Sequence, residues 1–174
     1  IIIQDLGMLD LVRKTYPNLE IHASTQMHIH NLEGVRICEK LGIKRVVLAR
    51  ETSIDLIKEI KKNTSVDLEV FVHGALCISY SGQCLMSSII GGRSGNRGAC
   101  AGTCRLPFDV IDKDNNKLNK NSYPLSTKDL FTLDNIDKLI ESGIDSFKIE
   151  GRMKRAEYVY LVVSLYRKAI DSYF

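Results

Sequence analysis

The sequence lacks long apolar runs, a strong excess of either charge and a secretory start. Its longest apolar runs, such as Val46 to Ala49, have only the length of a strand, so we expect no membrane-spanning helix. The net charge of +3 permits an RNA partner without predicting one, because a dedicated nucleic-acid arm is far more basic. No charged start precedes an apolar secretory region, which indicates a cytoplasmic protein.

Hydrolase signatures are also missing. The sequence contains neither a Gly-x-Ser-x-Gly elbow nor a His-Glu-x-x-His metal site. A serine or cysteine protease needs a nucleophile that is held by a base, and a third group must orient that base. Local motifs therefore give no support to a proteolytic function.

Cysteine and glycine are concentrated in one stretch, Glu69 to Leu106. Four of the five cysteines fall here, with six, fifteen and three residues between successive members of the set Cys77, Cys84, Cys100 and Cys104. Half of the 12 glycines lie between these cysteines. A backbone that is so rich in glycine can bend closely around another group, which is here most simply an inorganic centre.

Metal ligation is the preferred interpretation of the four cysteines. Clustered cysteines in the cytoplasm are more often metal ligands or redox groups than structural disulfides, and thiolates are the usual ligands of iron–sulfur clusters. A zinc knuckle or two disulfides are the alternatives, although zinc prefers closely spaced pairs and only Cys100 and Cys104 form one. The fifth cysteine, Cys38, lies on an apolar helix face, and we expect it in the core.

Strand and helix signals alternate along the chain. They predict five strands, at residues 1–3, 19–23, 45–49, 68–72 and 146–149, and a helix that begins near residues 126–129. Such alternation predicts an α/β fold with parallel strands. Polar residues follow the strands, as they do at the active-site rim of a TIM barrel. Since five strands are fewer than eight, we expect the C-terminal part of a TIM-like (β/α)8 barrel, a fragment of a larger barrel that begins inside a buried strand.

The expected organisation has three parts. Residues 1–174 form the partial barrel domain, residues 74–106 form a cysteine-rich, cluster-binding insertion within it, and residues 107–124 form a short β-hairpin around Asp114, Asn115 and Asn116. The exposed edge of the first strand could pair with another chain, so self-association of the fragment through this edge is also predicted.

The motifs of the chain closely resemble those of peptidase family U32, the collagenase-like proteins. The resemblance rests on EVFVHGALCISYSGQC and continues through SIIGGR, GNRGACAGTCR, STKDL and DSFKIEGRMKRAEYV. The earlier segments IHASTQMHIHN and IKRVVLARE also look like that family. Relative to the family, the chain lacks the N-terminal part of the barrel, and we expect the fragment alone to be inactive.

The resemblance implies an RNA-modifying enzyme. Several members of the family are described as hydroxylases, which implies oxygen-independent hydroxylation of a pyrimidine base in rRNA or tRNA, supported by a [4Fe–4S] cluster. Prephenate is implied as the source of the hydroxyl group for some relatives. The family name suggests proteolysis of a peptide as the alternative activity. A non-catalytic binding module, stapled by a metal such as zinc, is the second alternative.

The candidate site residues come from the strand ends and from the cysteine-rich stretch. A carboxylate can accept from a base edge or move a proton, and an arginine can bind a phosphate or a carboxylate through two hydrogen bonds. The predicted catalytic residues are His73, Glu150 and Arg152. The predicted substrate-binding residues are Ser24, Gln26, Arg50, Arg93, Arg97 and Lys148. The predicted metal ligands are Cys77, Cys84, Cys100 and Cys104.

Each of these side chains also has a structural interpretation. A lone histidine such as His73 is more often structural than catalytic, and Glu150 could form a salt bridge with Arg152. Arg93 and Arg97 could balance the charge of an anionic cluster. Arg50 and Glu51 could pair with each other.

Overall fold

The computed structural model describes residues 1–120, 122–151 and 154–174 of the chain. Over these residues the protein forms one mixed sheet of six strands and six α-helices. The strands are β1 (Ile2–Ile3), β2 (His22–Ala23), β3 (Arg45–Val47), β4 (Asp67–Gly74), β5 (Leu130–Phe131) and β6 (Ser146–Ile149). The helices are α1 (Leu6–Thr15), α2 (Leu32–Lys40), α3 (Ile54–Lys62), α4 (Met86–Gly91), α5 (Ile136–Glu141) and α6 (Ala156–Tyr173).

Parallel pairing dominates the sheet. The parallel neighbours follow the order β1, β2, β3, β4 and β6, so each parallel strand lies beside the next one along the chain. The eight-residue β4 pairs with β6 along one edge, and its other edge pairs first with β3 and then with the antiparallel β5. The predicted α/β class with parallel strands is thereby confirmed, whereas closure of the strands into a barrel stays a prediction.

The helices other than α4 pack against one face of the sheet. Inward side chains of the strands, such as Val46, Leu68 and Val70, pack with helical residues such as Ile57 and Val162 in a single apolar core. Cys38 of α2 lies in this core with 1% of its surface exposed, as expected. Burial raises the pKa of the Cys38 thiol to about 11, so this cysteine stays neutral and inert near pH 7.

The β5 region differs from the sequence prediction in where its helix begins. The helix predicted to begin near residues 126–129 instead starts at Ile136, after a short 3₁₀ turn that follows β5. Thr132 explains the difference, because its N–H and its hydroxyl both donate to the carbonyl of Val72, at 3.2 and 3.0 Å. These bonds to β4 hold the preceding residues in an extended conformation.

Residues 108–120 double back on themselves. An antiparallel bridge joins Ile111 to Lys117, and the N–H of Leu118 donates to the carbonyl of Val110 at 2.7 Å. Asn115 takes a left-handed conformation at the turn, with φ of 63°. The residues between the bridge partners therefore form the tip of the predicted hairpin.

The sheet face opposite the helices carries charge. Alternation along the strands places Arg45, Glu69 and Lys148 on this face. Lys148 Nζ lies 2.9 Å from one carboxylate oxygen of Glu69, and Arg45 lies 3.7 Å from the other. Ser146 donates to the same carboxylate at 3.0 Å. Burial raises the pKa of Glu69, but Lys148, Ser146 and Arg45 together bring it below its usual value of 4.5.

Within the described ranges, the helices are too short or too polar to cross a lipid bilayer. This finding agrees with the expectation from the apolar runs.

The Glu69 network generates a stability prediction. We expect Glu69→Gln to lower the free energy of unfolding near pH 7 by about 2 kcal/mol, because the change leaves Lys148 half-buried without its partner. The native carboxylate has a lowered pKa, so its contribution is present above pH 4.5 and is lost as the pH falls through the folded-state pKa. The difference between wild type and variant should therefore shrink in acid, as measured by denaturant unfolding.

A matched control is Asp10→Asn, which breaks the exposed pair of Asp10 with Lys14 at 2.6 Å. Exposed pairs contribute little, so this variant should lose less than about 1 kcal/mol. Equal losses in the two variants would contradict a structural role for the Glu69 network.

Candidate functional site

The cysteine segment, defined here as residues 74–106, follows β4 directly. It contains the short helix α4 and 3₁₀ turns at Gly95–Arg97 and Thr103–Arg105. This small amount of regular structure cannot position four thiols by itself. Contacts with the rest of the chain must therefore position them. Two groups of contacts supply this support, one around Ser81 and one around Arg105.

Ser81 is the buried point at which the segment meets the strand ends. Its N–H donates to Glu51 Oε1 at 2.6 Å, and its hydroxyl donates to Glu51 Oε2 at 2.8 Å. The same hydroxyl oxygen accepts the backbone N–H of Arg50 at 3.1 Å. His28 Nδ1 lies 2.7 Å from the Ser81 carbonyl, and since a carbonyl can only accept, Nδ1 carries the proton. Ser81 is 0% exposed, so these bonds satisfy groups that water does not reach.

Gly82 brings the segment against the 3₁₀ turn Thr25–Met27 that follows β2. The residue has φ of 75°, and a Cβ atom at this position would overlap the backbone carbonyl of Gln26. The Gly82 carbonyl accepts a hydrogen bond from Asn96 Nδ2 at 2.9 Å. Glycine is required here both by the left-handed conformation and by the close approach.

The Glu51 carboxylate is ionised in this arrangement. Burial raises its pKa, but the two hydrogen bonds from Ser81 and the nearby His28 lower it more, so the pKa lies below 4.5. The expected alternative, a pair between Glu51 and Arg50, is wrong, because both carboxylate oxygens bind Ser81. Within the described residues the Arg50 guanidinium has neither a hydrogen-bond nor an ion-pair partner.

Arg105 ties the end of the cysteine segment to its beginning. Its guanidinium donates to the carbonyl of Leu76 at 2.8 Å and to the hydroxyl of Ser126 at 2.9 Å, and it also reaches the carbonyl of Thr127. The Thr127 hydroxyl donates to the same Leu76 carbonyl at 2.5 Å. Because Leu76 precedes Cys77 and Arg105 follows Cys104, these bonds bring the first and last cysteines of the segment towards each other.

The four cysteines remain free thiols around these supports. Cys77, Cys84 and Cys104 are half-buried, whereas Cys100 is exposed. The Sγ atom of Cys100 lies 3.3 Å from the N–H of Gly102 and 3.9 Å from the hydroxyl of Ser87. Burial raises the pKa of Cys104; the Arg105 charge lowers it, and the charges of Cys77 and Cys100 raise it again.

The chemistry of these four thiols is suited to a thiolate-bound iron–sulfur cluster. Cys77 and Cys100 lie close enough to Cys104 to oppose the ionisation of its thiol, a penalty that a cationic iron centre would remove. Hydrogen bonds to ligand sulfurs, such as the one from Gly102, are a usual feature of iron–sulfur sites. Over the described ranges no three histidine, cysteine or acidic side chains converge tightly enough for one metal ion. A four-iron cluster holds its thiolates farther apart than a single ion does.

An open cleft of about 360 Å³ lies between the segment and the strand ends. Its lining includes the side chains of Arg50 and Cys77 together with the exposed ring of Tyr80. The cleft therefore lies between a predicted metal ligand and a guanidinium that has no partner in the part of the chain that the structure describes.

Two other predicted arginines lie in the segment itself. Arg93 donates to the carbonyls of Ala99 and Cys100, at 3.0 and 3.4 Å, and so supports the backbone around one cysteine. Arg97 is exposed, and its guanidinium makes no hydrogen bond or ion pair with the described residues. Arg97 is thus the freer of the two to meet a phosphate.

Two of the three predicted catalytic residues lie side by side, because the N–H of Glu150 donates to the carbonyl of His73 at 2.8 Å. His73 lies within β4, after a bulge, and its ring is 5.6 to 6.0 Å from those of Phe131, Tyr158 and Tyr166. Glu150 follows β6, and its backbone packs on Gly74, where φ is 107°. Arg152 lies outside the described residues. Their catalytic roles stay predictions.

The remaining predicted residues lie in different surroundings. Ser24 accepts the N–H of Gln26 at 3.1 Å and so caps the 3₁₀ turn, while the Gln26 carbonyl touches Gly82. Lys148 lies on the charged sheet face with Glu69 rather than beside the cysteine segment. Its predicted contact with substrate is untested.

Sequence reasoning missed the residues that hold the cysteine segment in place. Ser81, His28 and Arg105 make contacts with residues that are 21 to 53 positions away, and no local pattern encodes them. One signal was available for Arg105, because its partners Ser126 and Thr127 open the motif STKDL.

The approach of Gly82 to Gln26 can be tested by substitution. We expect Gly82→Ala to destabilise the protein by more than Gly92→Ala, measured by denaturant unfolding. Both glycines have positive φ, at 75° and 65°, so each variant carries the cost of a left-handed alanine, about 1 kcal/mol. Only Gly82→Ala adds an overlap with backbone, since nothing lies within 4 Å of a Cβ at Gly92. Equal losses would show that the segment does not pack on the 3₁₀ turn.

Comparison with known proteins gives the family. The model of peptidase family U32 matches residues 1–174. The chain is 43% identical to tRNA hydroxylation protein P1 of Bacillus subtilis, over 99% of this chain and 42% of that protein. It is 41% identical to the 23S rRNA 5-hydroxycytidine synthase of Escherichia coli, over 99% and 26%. It is 40% identical to a collagenase of Porphyromonas gingivalis, over 94% and 43%.

A solved structure, that of the U32 peptidase Mk0906, shares 17% identity with a TM-score of 0.37, covering 42% of this chain and 30% of that one. The chain spans less than half the length of the three curated relatives described above. The match of the family model along the whole chain shows that the chain belongs to peptidase family U32.

Proposed function

We propose that this chain is part of an enzyme that hydroxylates a pyrimidine base in tRNA or rRNA. The observation that carries the proposal is the identity of 41 to 43% with two proteins that are named for RNA hydroxylation. An RNA substrate is consistent with the predicted cytoplasmic location. The activity belongs to the whole protein, of which this chain covers a part.

A [4Fe–4S] cluster is the proposed cofactor, with Cys77, Cys84, Cys100 and Cys104 as its ligands. The cluster, when bound, would supply electron transfer at the strand ends. The chain's own residues prepare this place: Glu51 and His28 hold Ser81, and Arg105 draws Leu76 towards the residues that follow Cys104. Zinc is the alternative occupant.

The cleft beside Cys77 is the proposed substrate site. Arg50 is a cation of this cleft that has no partner among the described residues, and a guanidinium binds a carboxylate through two parallel hydrogen bonds. A dicarboxylate hydroxyl donor, with prephenate as the proposed compound, would suit this group. Tyr80 is 69% exposed and offers a ring on which an unstacked base can lie. The exposed Arg97 is the proposed contact with the RNA backbone.

Proteolysis is the second candidate, because one relative is named a collagenase. Ser81, His28 and Glu51 are the residue types of a hydrolase triad, but their contacts do not form one. The Ser81 hydroxyl is buried and donates directly to the Glu51 carboxylate, whereas His28 contacts the Ser81 carbonyl. A nucleophilic serine must instead be exposed and donate to its histidine.

The cluster can be tested by anaerobic reconstitution. We expect wild type to take up about four iron atoms per chain and to absorb broadly near 400 nm, because four thiolates can hold one such cluster. Single Cys→Ser changes at positions 77, 84, 100 and 104 should each lower the iron content. Cys38→Ala is the control and should retain iron, since Cys38 lies in the apolar core. Uptake of zinc but not iron by wild type would contradict the proposal.

The reaction itself can be tested on the full-length protein by nucleoside mass spectrometry of the RNA substrate. We expect Arg50→Ala to raise the KM for the anionic hydroxyl donor at least about tenfold, because one charge-assisted contact is lost. Arg50→Lys should restore only part of the affinity, since lysine keeps the charge without the two-pronged geometry. Peptide hydrolysis without RNA hydroxylation would favour the second candidate, and an unchanged KM would exclude Arg50 from the substrate site.

A further inference from the structure

Ser81 occupies the middle of the loop between two proposed cluster ligands. It lies four residues after Cys77 and three residues before Cys84. An extended chain covers at most about 3.6 Å per residue, so the Cα atoms of these cysteines stay within about 14 and 11 Å of the Cα of Ser81. Any shift of Ser81 therefore moves the region of space that both thiols can reach.

Every backbone and side-chain polar group of Ser81 is bound from outside the cysteine segment. Glu51 receives its N–H and its hydroxyl, the Arg50 N–H binds its hydroxyl oxygen, and His28 binds its carbonyl. Glu51 differs from the other two partners because its side chain binds two groups at once. A two-pronged contact fixes the orientation of Ser81 as well as its distance from the end of β3.

We propose that Glu51 is a positioning residue whose carboxylate, through Ser81, sets where the thiols of Cys77 and Cys84 lie at the strand ends. This inference rests on the cluster-binding role proposed above. Glu51 lines the cleft, and 28% of its side chain is exposed. Its carboxylate binds Ser81, so Glu51 acts through Ser81 and needs no contact with the cluster.

Removal of the carboxylate has a defined consequence. In Glu51→Ala, the N–H and hydroxyl of Ser81 lose their acceptors in a place that is 0% exposed to water. A buried donor without an acceptor is costly, so residues 77–84 move until these groups reach solvent. In Glu51→Gln, the amide oxygen still accepts the backbone N–H and the amide N–H₂ donates to the Ser81 hydroxyl oxygen, so the hydroxyl proton alone loses its acceptor. The conservative variant therefore keeps much of the geometry.

The first measurement is made on the cluster-free chain, so that it does not depend on iron. Hydrogen–deuterium exchange of residues 77–84 and the rate at which Cys77 and Cys84 react with a thiol reagent should both rise in Glu51→Ala. Glu51→Gln should lie close to wild type. Glu59→Ala is the control, because Glu59 is an exposed carboxylate on α3 whose side chain does not touch the segment. Thermal unfolding of each variant establishes that it is folded.

The second measurement is made after reconstitution, as the rate at which a chelator removes iron. Loss of a group that supports metal ligands typically costs about tenfold or more in metal affinity, so Glu51→Ala should release iron about ten times faster than wild type. Glu51→Gln should recover most of the difference. The double variant Glu51→Ala with Ser81→Ala should release iron no faster than Glu51→Ala alone, because the two residues share one interaction.

The outcomes separate this inference from the cluster proposal. If wild type binds no iron, the cluster proposal fails, and faster exchange with higher thiol reactivity in Glu51→Ala would still establish the positioning role. Unchanged exchange and unchanged thiol reactivity in Glu51→Ala would overturn the inference whether or not iron binds. Faster exchange without faster iron release would also overturn it, because the ligands would then not depend on Ser81.

Discussion

The attachment of the cysteine segment to the strand ends is the constraint on which the candidate site depends. Only a six-residue helix and two single 3₁₀ turns interrupt its loops, so the segment has little internal stiffness of its own. The buried bonds of Ser81 fix its first half, and the guanidinium of Arg105 joins its end to its beginning. Without these contacts, four thiols spread over 28 residues would have no reason to share one centre.

The sheet supplies the platform for this attachment because its two faces differ. Apolar side chains such as Leu68 and Val70 lock β4 to the helices, while Glu69 and Lys148 pair on the other face. Glu51 and Gln26 follow β3 and β2 and so lie at the same edge of the sheet as the end of β4. Parallel strands bring their carboxyl ends together, which is why residues distant in sequence meet around Ser81.

The sequence was informative where a local pattern carries the information. Alternation of strand and helix predicts the parallel strands, the apolar helix face predicts a buried Cys38, and the motifs predict the family. It failed where a distant partner decides the structure. Thr132 binds the carbonyl of Val72 and so holds the preceding strand β5 against β4, and Glu51 binds Ser81 rather than its neighbour Arg50. Neither preference is visible from the residues alone, since each depends on how β4 lies in the sheet.

The most direct test of the account is diffraction at the iron absorption edge from crystals of the anaerobically reconstituted protein. We expect one compact anomalous peak at the ends of β2 and β3, bonded to the sulfurs of Cys77, Cys84, Cys100 and Cys104, with Ser81 still bound to Glu51. Iron bound elsewhere, or a peak that two or more of these sulfurs do not reach, would contradict the central claim.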